Sequence, residues 1–370
     1  MLFHALNAQY IKPPGLVVLP AVAFAPAPPA PPGTFTSMPI GGTPTSAPSA
    51  MIPAEYVALQ IPAASMVWDA ITVGYGRLGA VALLTGGNLI AARRVRQFAA
   101  SRARLLRTIY DWPGGAVPGP VLVAEYDFVE SSERRVISYL IGQTVAQRLA
   151  KSIWNVPRLF HRSLYGPILH LLNGALLPLA AGQSPDYLCL APGGAGFGLV
   201  EAKGTNTKFN PQLFVSHLAR LNGAFRQLDK VPGAWQSAVS VASFDSALPL
   251  DTIVGQFWDP PNPNAFRINI EGAATLTARY FRRLDALLKC LATPTKVPRT
   301  KTMVWNAPSV GFRINMDVLQ WNLVSQMVAN KIRDIDFFHE ISAMLLETAD
   351  VEGPKGRNGD GLRLEFIDFD

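Results

Sequence analysis

Residues 184–205 read SPDYLCLAPGGAGFGLVEAKGT. Two apolar runs, Asp186–Ala191 and Phe197–Lys203, flank a turn centred near Gly193-Gly194, and glycine there supplies the positive φ angles that tight hairpins need. Pairing about that centre sets Asp186 opposite Glu201, Leu188 opposite Leu199 and Tyr187 opposite Val200. Directly opposed Cβ atoms lie roughly 5 Å apart. Side chains alternate along a strand, so Lys203 shares the face of Glu201 while Val200 and Ala202 point the other way. Both faces are apolar, as in central strands covered by helices on each side.

Two carboxylates opposed in a buried sheet repel each other and resist desolvation. A divalent cation between them compensates, and Lys203 adds a second positive charge. Magnesium, or manganese in its place, suits a site of a few carboxylates completed by water and phosphate oxygens. Such a metal would polarise a phosphate and acidify a bound water, and the lysine would orient that water or offset transition-state charge.

The order of elements around the hairpin extends the argument. Before it, VLVAEYDFV (121–129) reads as a strand, and Ser132 stands where an N-cap would. An amphipathic helix follows from Glu133 to Trp154, with Ile137, Leu140, Ile141, Val145, Leu149 and Ile153 as its core stripe. Leu164–Ala180 is apolar and helical in pattern. After the hairpin, Asn210-Pro211 opens a helix by cap and first-turn proline, burying Phe214, Leu218, Leu221, Phe225 and Leu228. Ser237–Phe244 and Thr252–Trp258 then read as strands, which makes an α/β pattern.

Pro185-Asp186 and Glu201-Ala202-Lys203, placed on a hairpin between a long helix and a helix–strand pair, resemble the PD-(D/E)xK nuclease superfamily across residues 121–262. The resemblance implies a restriction-endonuclease-like core, a mixed central sheet flanked by helices. It also implies that Asp186 and Glu201 bind the metal while Lys203 assists the attacking water. An acid on the preceding helix often joins such a site, and Glu133 is the candidate, with Glu130 behind it. A glutamine on the following helix serves in some members, and Gln227 could do so here. The implied activity is metal-dependent phosphodiester hydrolysis, a DNA endonuclease of the restriction or defence type. The alternative is a catalytically inactive nucleic-acid-binding or assembly protein that keeps the fold.

Composition agrees with that partner. The chain carries a net charge of +7 with 49% hydrophobic residues, so it can build a sizeable core and favours polyanions. Residues 93–107 hold Arg93, Arg94, Arg96, Arg102, Arg104 and Arg107 with no acid between them. They form a solvated helix face, a phosphate-contacting one at Arg93, Arg94, Arg96, Arg102 and Arg104, or a juxtamembrane basic segment following residues 78–92. Lys208, in a loop at the mouth of the site, is a further phosphate candidate. His161 and His170 read as structural, and no histidine or cysteine pair has metal-ligand spacing. Cys189 and Cys290 read as buried hydrophobes, consistent with a reducing, cytoplasmic setting. A membrane span is not expected, since the nearest apolar run, 78–92, is short and broken by glycine. A homo-oligomer is compatible with the sequence.

Four regions follow. Residues 1–66 contain 13 of the 31 prolines and should be extended or disordered, without regular elements. Residues 67–120 form a helical basic region, 121–262 the nuclease-like core, and 263–370 an α+β extension. That extension has strands near 266–270 and 311–316, helices over 273–291, 317–333 and 336–349, and a last strand in LRLEFIDF.

Overall fold

The computed structural model describes residues 3–11, 35–40, 50–73, 89–111, 121–154, 156, 158–161, 185–190, 197–209, 236–245, 252–258, 270–349 and 360–367. Among these the protein is a mixed α/β structure with two sheets. The larger has ten strands. It contains β1 (Phe3–Ile11), β2 (Phe35–Ile40), β3 (Ala50–Pro62) and the short β4 (Tyr110–Asp111) and β5 (Val121–Leu122). It continues with β6 (Phe160–His161), β7 (Tyr187–Leu190), β8 (Phe197–Phe209), β9 (Gln236–Asp245) and β10 (Thr252–Trp258). The main path runs β2-β3-β1-β10-β9-β8-β7-β6, with β4 and β5 off it. The β1–β10 and β8–β9 pairs are parallel, and the rest antiparallel.

Helices α1 (Ala63–Thr72), α2 (Leu89–Ile109) and α3 (Ser131–Trp154) accompany this sheet. Toward the C-terminus, α4 (Ile270–Leu291) leads into the antiparallel strands β11 (Thr295–Val297), β12 (Thr302–Ala307) and β13 (Phe312–Asp317). Helices α5 (Val318–Val328) and α6 (Asp334–Ala349) follow, and β14 (Arg363–Phe366) closes the second sheet. No helix among the described residues is long and apolar enough to cross a membrane.

The expected stripe of α3 is buried at Ile137, Leu140, Ile141, Val145 and Leu149. It belongs to one hydrophobic cluster that also takes in Trp68, Leu106, Phe281, Trp305, Phe312 and Leu364. The C-terminal third therefore shares its core with α1, α2 and α3. Asp360, fully buried, ties these parts together. Its carboxylate accepts from Trp68 Nε1 at 3.3 Å and from the Tyr280 hydroxyl at 2.8 Å, while Gln320 Nε2 donates to its carbonyl at 2.6 Å. A second buried knot joins α1 to α3. Asp69 accepts from Arg148 Nε at 2.7 Å, Lys151 Nζ at 2.8 Å and Gln147 Nε2 at 2.9 Å.

Three expectations need correction. Within residues 1–66, the described segments Phe3–Ile11, Phe35–Ile40 and Ala50–Pro62 form strands despite their prolines. Pro53 pairs with Ser37 of β2 at a point where β1 has ended, so no ladder bond is lost on that side, and Pro62 ends its strand. Residues 121–129 form only the two-residue β5, followed by a 3-10 turn over Ala124–Phe128. The cap of α3 is Glu130 rather than Ser132: its carbonyl accepts from Arg134 N at 2.9 Å and its carboxylate from Ser132 N at 2.9 Å. Of the strand expected over 266–270 only Ile270 is described, and it opens α4; the helix over 164–180 and the helix from Asn210 fall outside the described residues. The β11–β12 strands were not anticipated.

Candidate active site

The hairpin register is as the sequence reading has it. Tyr187 pairs with Val200, Leu188 with Leu199, Cys189 with Gly198 and Leu190 with Phe197. Alternation then sorts the side chains. Tyr187, Cys189, Val200 and Ala202 join the α3 cluster, whereas Leu188, Leu190, Phe197 and Leu199 are buried outside it. Glu201 and Lys203 belong to this second face.

Helix α3 crosses β8 at very short range, because glycine stands on both sides. A Cβ on Gly142 would lie 2.5 Å from Gly204 N, and one on Gly204 would lie 1.7 Å from Ser138 O. The Gly204 side of the strand thus points at α3, and its neighbour Lys203 points away.

Asp186 stands at the end of the β7–β8 ladder and meets Glu201 there. The Asp186 backbone N–H donates to Glu201 Oε2 at 3.0 Å, and Ala202 N–H donates to Asp186 Oδ2 at 3.0 Å. Lys203 Nζ makes an ion pair and hydrogen bond with Glu201 Oε1. The Glu201 side chain is 3% exposed and that of Lys203 38% exposed, so the group opens to solvent through Lys203 and the half-buried Asp186. Burial and then the Asp186 charge push the Glu201 carboxyl up to about 7, against the pull of Lys203.

These residues fit a divalent cation in one respect and limit it in another. The Glu201 carboxyl resists ionisation beside Asp186, and a cation bound by both would relieve this. Among the described residues no group of three or more His, Cys, Asp or Glu side chains converges. The pair therefore suits an ion that keeps water and substrate oxygens in its shell, as magnesium and manganese do, and does not suit a closed protein cage.

The remaining expected residues are distributed as follows. Glu133 is exposed in the first turn of α3, a helix that packs on the face away from Glu201 and Lys203. The charges that shift Glu201 are those of Asp186 and Lys203. Gln227 and the Gly193-Gly194 turn lie outside the described residues. Lys208 is within β8 rather than in a loop, paired with Phe244 beyond an irregularity after Gly204.

The arginine row of α2 is divided in its work. Arg96 Nε donates to Cys290 O at 2.7 Å, closing the end of α4. Arg102 Nη1 donates to Ala70 O at 3.1 Å and Val73 O at 2.6 Å, closing α1. Arg107 lies over the Phe366 ring at 4.9 Å. Arg93, Arg94 and Arg104 are exposed.

Further titratable groups, given no role at the site by the sequence reading, lie within range of the Asp186 charge. His161 meets Tyr187 edge-on, with ring centroids 5.2 Å apart. Burial lowers the pKa of His161, partly opposed by Asp186, while burial raises that of Tyr187 well above the usual phenol value. Tyr139, from α3, senses Asp186, Arg102 and Gln143. Tyr139 and Gln143 escaped the sequence reading because they lie beside the apolar stripe. The one available signal was an aromatic and an amide spaced four apart, which is too common to point anywhere.

No protein-family model matches the chain, and neither a curated protein nor a solved structure matches it.

Proposed function

We propose that the protein is a metal-dependent phosphodiesterase acting on nucleic acid, with DNA as the favoured substrate and restriction or defence against foreign DNA as its setting. The observation that carries this reading is the meeting of Asp186, Glu201 and Lys203 at the end of one hairpin ladder. A magnesium or manganese ion held by Asp186 and Glu201 would supply Lewis acidity toward a phosphate oxygen and its bound water. Backbone amides hold one oxygen of each carboxylate and Lys203 holds the other oxygen of Glu201, so the pair is already fixed in position for a cation. Lys203, anchored on Glu201 and partly exposed, is placed to donate to a phosphate oxygen or to orient the attacking water.

Burial of the Glu201 side chain favours a second reading, in which the Glu201–Lys203 pair is structural and the protein binds nucleic acid without turnover. Plasmid cleavage in Mg²⁺ by the wild type, Glu201→Ala and Lys203→Ala separates the two. Loss of cleavage in both variants supports the enzyme. Cleavage indifferent to both overturns the mechanism, and absence of cleavage with intact, salt-dependent binding selects the binding protein.

A further inference from the structure

In the C-terminal third, Arg282 meets Asp334, Lys289 meets Asp285, Arg313 meets Glu365 and Arg333 meets Asp336. The β11–β12 hairpin departs from this habit. Residues 286–316 hold five basic residues and no acid. Three of the five, Lys296, Arg299 and Lys301, fall in or beside its turn and are exposed, and none forms an ion pair among the described residues. Strand β11 is the outermost of its sheet and sets Lys296 opposite Met303 and Val297 opposite Thr302. The turn is tied down. Lys301 N–H donates to Pro298 O at 3.3 Å, and Val318 N–H, at the start of α5, donates to Lys301 O at 2.9 Å. Lys301 takes φ 50° and ψ 39°, the left-handed region that glycine or asparagine enters more readily.

Edge protection accounts for a lysine on the outermost strand, since charge there discourages pairing with a second sheet. Arg299 and Lys301 lie beyond that edge, in the turn, where the need does not arise. Strand spacing and rise bring the three cations within about one Debye length, roughly 10 Å at 0.1 M salt, so they repel one another. The acid of the neighbouring strand does not offset them directly: Asp317, opposite Thr302, turns its carboxylate to cap α5 through Leu319 N–H at 2.8 Å. A rigid turn that presents unpaired guanidinium and ammonium groups suits a row of phosphates. We propose that the β11–β12 turn docks the sugar–phosphate backbone of nucleic acid, with Lys296, Arg299 and Lys301 each meeting a phosphate and no base being read. The hairpin starts close to the end of α4 that Arg96 grips through Cys290 O at 2.7 Å, and thus near the stretch of α2 that holds the exposed Arg93 and Arg94. That the polyanion is nucleic acid rests on the function proposed above.

The test titrates salt against binding of a labelled DNA duplex by the full chain in EDTA, with thermal melts alongside. Each phosphate contact contributes about 0.9 to the slope of log affinity against log salt, so Lys296→Gln, Arg299→Gln and Lys301→Gln combined should lower it by about 2–3. The melting temperature should not change. Lys301→Gly separates docking from a structural role: it should lower the slope by about 1 and melt no earlier than the wild type, because glycine suits this backbone conformation. Lys331→Gln, an exposed lysine beyond the far end of α5, should leave the slope unchanged. An unchanged slope in the triple variant overturns the proposal, as does a drop in Lys331→Gln equal to that of Lys301→Gly. Binding to phosphatidylserine-containing vesicles but not to duplex overturns it in favour of a membrane surface. If Glu201→Ala abolishes cleavage while the triple variant keeps its slope, the nuclease stands and this surface falls. If the slope drops while Glu201→Ala and Lys203→Ala still cleave, the surface stands and the hydrolytic mechanism falls.

Discussion

Asp186 and Glu201 face each other where their ladder ends, and each carboxylate accepts a backbone N–H from the other strand at 3.0 Å. The two acids are held close by the chain itself. Lys203 pairs with Glu201.

Glu201 should therefore cost the protein stability in the absence of metal. Its folded pKa, about 7, lies above the ordinary carboxyl value of 4.5. The favourable contribution of the protonated form is complete below that ordinary value and is lost as pH rises through about 7. Glu201→Gln is expected to unfold at a higher temperature than the wild type at pH 8, by roughly 1–3 kcal/mol, and to match it near pH 4. Thermal melts in EDTA at the two pH values check this, and a wild type that is more stable than Glu201→Gln at pH 8 contradicts it.

Metal should reverse the sign. Added Mg²⁺ or Mn²⁺ should raise the melting temperature of the wild type at pH 8, with little effect on Glu201→Gln, since a ligand bound only by the folded state stabilises it by mass action. Identical responses of the two proteins would place the metal elsewhere.

Asp69 should behave in the opposite way. Burial raises its pKa, but Arg148 and Lys151 overcome that and hold it below the usual value of 3.8. The stabilising contribution is present above that value and disappears as pH falls through the lower folded pKa. Asp69→Asn strands two buried cations and should cost about 3–5 kcal/mol at neutral pH. Denaturant titrations should show the difference shrinking toward acid pH.

The arginines of α2 should separate into two behaviours. Arg93→Ala and Arg94→Ala should each lower the salt slope of nucleic-acid binding by about 1 without loss of stability. Arg102→Ala should lower stability by about 1–2 kcal/mol, because it uncaps α1. Salt titrations beside thermal melts on the same three variants decide this.

Much of the central architecture was legible because it is local. The pairing of Asp186 with Glu201 follows from a glycine pair between two apolar runs, and the α3 stripe from apolar residues four apart. The N-terminal strands were missed because proline was counted against them without regard to position. Pro53 costs little where only β2 is alongside. The 121–129 segment misled by its composition, since apolar residues alternate with Glu125 and Asp127 in a run that in fact coils into a 3-10 turn. The relation of α3 to the sheet was not readable. That relation is set by Gly142 against Gly204, residues that carry no hydrophobic signal.

The same two glycines shape how any mutational survey of this protein will read. Every missense change at Gly142 or Gly204 adds at least a Cβ where backbone atoms already lie, 2.5 Å or less away. Both positions will score as intolerant in an activity screen, alongside Glu201 and Lys203, although neither has a side chain to offer a substrate. Only a parallel abundance readout will tell the residues that perform the chemistry from the two that keep a helix seated against a strand.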